Sequence, residues 1–201
     1  KNIKATGVHI SGLSGQFFLN NLNLTLKNLS MGIFDGTIRG GMNLNVRTQR
    51  PEVSSNLTVT GLQTQKMVES QMPIAKNTVK GVISANLKLG GSGLNHSDIV
   101  SGWAGDGSFA MNKAQFSTLD IGAQIKNNVL GKLPSFAQGK VKVPDSLANW
   151  KGEYDSIDTK FSLQRGVLNI SEITGKAPSG KGLDLKGAGI VKLVSYALDM
   201  H

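Results

Sequence analysis

Ile83-Ser84-Ala85-Asn86-Leu87-Lys88-Leu89 alternates apolar and polar side chains without a break. Successive side chains of an extended chain point to opposite faces. The stretch therefore describes a strand with Ile83, Ala85, Leu87 and Leu89 on one side and Ser84, Asn86 and Lys88 on the other. A helix would scatter both sets round its circumference. The same device recurs upstream in Leu22-Asn23-Leu24-Thr25-Leu26, Met42-Asn43-Leu44-Asn45-Val46 and Asn56-Leu57-Thr58-Val59-Thr60. Downstream it returns in Phe109-Ala110-Met111, Phe161-Ser162-Leu163, Leu183-Asp184-Leu185 and Tyr196-Ala197-Leu198-Asp199-Met200. Between these runs stand Asp35-Gly36, Gly40-Gly41, Gly90-Gly91-Ser92-Gly93, Gly105-Asp106-Gly107 and Gly180-Lys181-Gly182, the punctuation of an antiparallel meander. The expectation is a mainly-β chain of about a dozen strands, its sheet apolar on one face and polar on the other.

Helical signals are few. Leu119–Leu130 places Ile121, Ile125 and Val129 one turn apart, with Asp120 to cap its start and Gly131 to end it. Ser97–Trp103 and Leu62–Gln71 are two further short candidates, which makes two or three short helices in all. Pro134 and Pro144 mark residues 132–150 as an internal loop.

Composition narrows the function. The 201 residues carry 22 Lys plus Arg against 13 Asp plus Glu, a net charge of +9, with 25 Gly and no Cys. Without cysteine there is neither a disulfide scaffold nor a thiolate metal site. The three His (His9, His96, His201) lack metal-ligand spacing, and no G-x-S-x-G elbow is present. Gly175-Lys176-Ala177-Pro178-Ser179-Gly180-Lys181 approaches a phosphate-binding loop, but Gly182 stands where a magnesium-binding hydroxyl belongs. A glycine hairpin is the better reading of that stretch. No catalytic residue, metal or cofactor is expected, and hence no enzyme. The cations are dispersed, 18 Lys to four Arg, without the clustering and aromatic interleaving of nucleic-acid binders. A weak attraction to anionic membrane surfaces fits them better than nucleic acid. Best of all they read as Lys on sheet edges and solvent faces that keep an extended β-structure soluble. No stretch reaches the roughly 18 apolar residues of a membrane-spanning helix. The chain opens on Lys1 and stops in mid-pattern at Met200-His201, so it reads as one domain over 1–201, an excerpt of something longer.

Residues 105–121 (Gly105-Asp106-Gly107-Ser108-Phe109 through Leu119-Asp120-Ile121) resemble the C-terminal region of the AsmA family, where a G-x-G-x-F strand leads into a Leu/Ile-Asp pair that starts a helix. Phe34-Asp35-Gly36-Thr37-Ile38-Arg39-Gly40 upstream is similar to the family, as are Asp158–Leu168 and Gly187-Ala188-Gly189-Ile190-Val191-Lys192-Leu193 downstream. The resemblance implies a curled antiparallel sheet, an open groove or half-barrel. It also implies a periplasmic location tethered to the bacterial inner membrane, with the membrane anchor outside residues 1–201. The implied role is non-enzymatic envelope biogenesis, an apolar β-groove carrying phospholipid between inner and outer membranes or supporting outer-membrane assembly. Its partners would be phospholipid acyl chains and other envelope proteins. The groove candidates are the apolar halves of the alternating runs: Leu22, Leu24, Leu26, Met42, Leu44, Val46, Ile83, Leu87 and Leu89. The alternative is a structural or adhesive surface β-domain that binds glycans or protein partners.

Overall fold

A computed structural model describes residues 3–5, 8–71, 76–93, 95–117, 152–179, 182–192 and 197–200. The strands are β1 (Ile3–Ala5), β2 (Val8–Asn20), β3 (Asn23–Ile33), β4 (Gly36–Asn45), β5 (Glu52–Gln63), β6 (Val79–Ser92), β7 (Ala104–Phe116), β8 (Glu153–Gln164), β9 (Val167–Lys176), β10 (Leu185–Lys192) and β11 (Ala197–Met200). All lie in one sheet in sequence order, every neighbouring pair antiparallel. The order never wraps back on itself, so the sheet is open, with β1 and β11 as its edges.

Nine of the strands, β2 to β10, are long, and a short strand flanks each edge. The expectation of about a dozen is corrected to these eleven, nine long and two short. Bulges let the long strands keep their apolar side chains on one face. On β3 the apolar positions are Leu24 and Leu26, then Leu29, Met31 and Ile33. The register slips between Leu26 and Leu29, where Asn28 takes φ 52°. The extra residue restores the apolar set to its own face. Gly61, at φ 72°, performs the same service on β5 between Val59 and Leu62.

Two short helices interrupt the meander among the described residues. Helix α1 (Thr64–Gln71) begins two residues later than the Leu62 start expected, because Leu62 still pairs with Ile83 in the sheet. Thr64 is buried and donates its hydroxyl to the Gly81 carbonyl at 2.8 Å, while Val68 turns inward. Helix α2 (His96–Gly102) is capped by the Asn95 side chain, which accepts from the Asp98 backbone N–H at 2.8 Å. The helix expected over Leu119–Leu130 and the loop over 132–150 lie outside the described residues.

The core is small and off-centre. Met111 on β7 is 3% exposed and Ala114 2%, and they cluster with Tyr154 and Ile157 of β8. Val79, Ile83, Phe109, Phe116 and Ile173 pack around them, with Phe116 meeting Tyr154 edge to face at 6.5 Å between centroids. Glycines make room for the rings. A side chain on Gly175 would strike Tyr154, and one on Gly107 would strike Phe161, so both rings lie over bare backbone.

Candidate functional site

Register decides which side chains share a face. Directly opposed residues of antiparallel strands point the same way. Leu24 opposes Leu44, and Leu26 opposes Met42. Leu44 opposes Val53, Gly40 opposes Leu57, and Ile38 opposes Val59. Leu57 opposes Leu87, Ser55 opposes Leu89, and Leu62 opposes Ile83. Ile83 then opposes Met111, Met111 opposes Ile157, and Phe161 opposes Ile170. Leu168 opposes Val191 on β10. One face is therefore apolar from β3 to β10. Hydroxyls along these rows are few: Ser55 donates to the Leu89 carbonyl at 3.1 Å, and Thr159 stands between Phe109 and Ile173.

Seven of the nine groove candidates stand on that face: Leu24, Leu26, Met42, Leu44, Ile83, Leu87 and Leu89. The other two are corrected in position. Leu22 is in the turn between β2 and β3, not in a strand, with φ 61° and 59% of its surface exposed. Val46 lies one residue past the end of β4, half out in solvent. The two are joined at the sheet's end, where the Val46 N–H donates to the Leu22 carbonyl at 3.0 Å. Leu183 likewise falls outside β10, in the connection that precedes it.

The face has a hollow of ≈ 490 Å³ over β6 to β10, floored by Ile83, Phe109, Met111, Ile157 and Ile173, with Thr64 and Leu185 at its rim. Ile83 alone among the nine candidates reaches it. Tyr154 and Ile157 were not legible as site residues, because Tyr154-Asp155-Ser156-Ile157 breaks the two-residue period. Burial and the nearby Asp184 carboxylate hold the Tyr154 phenol above its ordinary value, so it stays a neutral hydroxyl at physiological pH. Trp103 closes the other end of the face: its ring lies over Gly91, and its indole N–H donates to the Gly93 carbonyl at 3.3 Å.

The opposite face is a polar ladder. Asn43 donates to Thr25 at 3.0 Å, Thr58 to Asn86 at 3.1 Å, and Lys160 pairs with Glu172 at 2.9 Å. A larger hollow of ≈ 920 Å³ lies on this side, lined by residues such as Asn43, Asn56, Arg39, Lys88 and Asp106. Its volume is greater, but its walls carry charges and amides that lose water's hydrogen bonds on burial, whereas the apolar face has side chains that gain by leaving water. Among the described residues no group of three His, Asp or Glu could hold a metal ion. No described helix is long and apolar enough to cross a membrane.

The described residues thus form a single open meander, one face aliphatic and the other amide- and hydroxyl-rich, a β-sheet protein that presents a broad one-sided surface. The chain belongs to the AsmA family, whose family model matches residues 1–173. That match covers the β1–β8 sheet and reaches into β9. Searches of curated proteins and of solved structures gave no match.

Proposed function

We propose that this chain is a non-enzymatic envelope-biogenesis module whose apolar sheet face receives phospholipid acyl chains. Membership of the AsmA family supports envelope biogenesis and lipid transport in general. The observation that carries the finer reading is the continuity of the aliphatic rows across β3 to β10. In this reading the sheet curls along its length into a groove open on one side. Acyl chains lie against Leu24, Leu44, Leu57 and Leu87, the half-buried side chains of that face. The driving force is ordinary partition, about 0.8 kcal/mol for each methylene removed from water. Headgroups remain outside, since no described charge lies in those rows to receive them. The setting proposed is the bacterial periplasm, with an inner-membrane anchor beyond residues 1–201 and other envelope proteins as partners.

The test is mass spectrometry of lipid co-purified with the protein, together with crosslinking from photoreactive residues at position 57 or 87. Phospholipid is expected in the extract and on both positions. Leu44→Asp is expected to leave the circular dichroism spectrum intact and abolish crosslinking. A lipid-free protein that crosslinks at neither position would sink the reading.

A further inference from the structure

Three two-residue turns of this sheet put both central residues at positive φ, and only one of them makes sense as a turn. Arg165-Gly166, between β8 and β9, has φ 47° and 75° and the glycine that such a turn favours. Phe34-Asp35, between β3 and β4, lacks a glycine but is held from outside. The Gln63 N–H donates to the Phe34 carbonyl at 2.9 Å, and Asp35 forms an ion pair with Lys66 of α1. Asn21-Leu22, between β2 and β3, has φ 44° and 61° with a leucine in the position where glycine or asparagine belongs. Leu22 is 59% exposed and Leu19, two residues before the turn, 74%. Neither conformational preference nor packing accounts for a leucine there.

The surroundings are basic. Arg47 donates from Nε to the Asn21 carbonyl, which fixes its guanidinium beside the turn and uses one of its five N–H donors. Arg50 follows in the same exposed loop, at the same end of the sheet as the turn. The nearest acid in sequence, Glu52, begins β5 and accepts from the Asn45 amide at 3.3 Å; its carboxylate keeps its charge and offsets one of the two arginines. An exposed aliphatic tip with a guanidinium fixed beside it is complementary to one surface above others: a bilayer interface bearing anionic phospholipid, where apolar tips enter the headgroup layer and cations meet phosphate.

We propose that this end of the sheet docks on such a surface, with Leu19, Leu22 and Val46 entering the interface and Arg47 and Arg50 pairing with phosphates. The docking differs from acyl-chain carriage in using the turn end of the sheet: Leu22 and Val46 lie outside the strands, and only Leu19, opposite Leu24, also belongs to the apolar strand face.

Co-sedimentation of the 201-residue chain with vesicles tests it, using phosphatidylcholine alone or mixed with phosphatidylglycerol. Binding is expected only to the mixed vesicles. Arg47→Gln with Arg50→Gln should weaken it roughly 25-fold, at about five-fold for each cation near the surface. Leu22→Asn is the sharper variant, since asparagine tolerates the turn's backbone better than leucine. It should raise the melting temperature while lowering vesicle binding about tenfold. No sedimentation with either vesicle, equal binding to both, or unchanged binding by Leu22→Asn would each overturn the inference. Loss of acyl crosslinking with docking intact would instead strike the groove reading alone.

Discussion

The two ends of the meander carry the same alternation and bury it to different depths. In β6 to β9, Met111, Tyr154 and Ile157 reach the burial of a globular core. In β3 and β4, Leu24, Leu26, Met42 and Leu44 stay half-buried, and along β2 Phe17 is 61% exposed. Side-chain chemistry does not separate them, for both sets are aliphatic or aromatic and both face the same way. What differs is what lies above. The C-terminal part has the Phe161 and Tyr154 rings close over Gly107 and Gly175, and α1 sets the buried Thr64 beside the hollow. The N-terminal strands are held chiefly by their backbone ladder. One sheet thus combines a packed sector, which supplies fold stability, with a sector whose apolar surface is available for binding.

That contrast sets an order of effects. The largest is expected from Met111→Ala, which empties a closed site and should cost about 3 kcal/mol in urea unfolding. Leu24→Ala removes a similar side chain from the half-open sector and should cost about 1 kcal/mol. Equal losses would mean that both sectors are packed alike. The ladder-held sector should instead be sensitive in its backbone. Gly40 sits at φ 146° with its missing Cβ aimed at the Asn56 carbonyl of the next strand. Gly40→Ala is expected to cost about 2 kcal/mol, more than Leu24→Ala, although it adds apolar surface. A neutral result would show that β4 and β5 can part without loss.

The smallest effect concerns pH. The Tyr154 phenol is raised above its unfolded value, first by burial and then by Asp184. The unfolded chain therefore loses its phenolic proton at a lower pH than the folded one. Stability from this group is complete below about pH 10 and falls as pH rises through the folded value. Tyr154→Phe should flatten that alkaline decline, as followed by melting temperature between neutral pH and pH 11, roughly the range over which a phenol titrates. A decline of unchanged steepness would place Tyr154 in a more solvated site than its packing against Phe116 indicates.

Much of this was written in the residue order. Alternation in Leu24–Leu26, Met42–Leu44 and Ile83–Leu89 assigned these side chains to one face before any partner was known, since the two-residue period is a property of the extended backbone itself. Even the bulges left a trace, because the apolar positions change parity from Leu24 and Leu26 to Leu29 and Met31, and from Leu57 and Val59 to Leu62. Helix α2 was legible to within a residue at each end, expected over Ser97–Trp103 and found over His96–Gly102, but its Asn95 cap was not. Leu22 was misread because its run of alternation continues unbroken through a tight turn, and periodicity carries no information about where a strand stops.

Sequence alone thus determined an antiparallel, one-sided sheet and the residues of its apolar face. Only the tertiary structure decided which part of that face is core and which is open. It also placed Tyr154 and Ile157 beside Met111, across more than 40 residues of chain, and left Leu22 at a strained and solvent-facing tip. The physical reason is that alternation is fixed by the geometry of a single strand. Burial is fixed by what neighbouring strands and helices lay over it, and no local pattern encodes a neighbour.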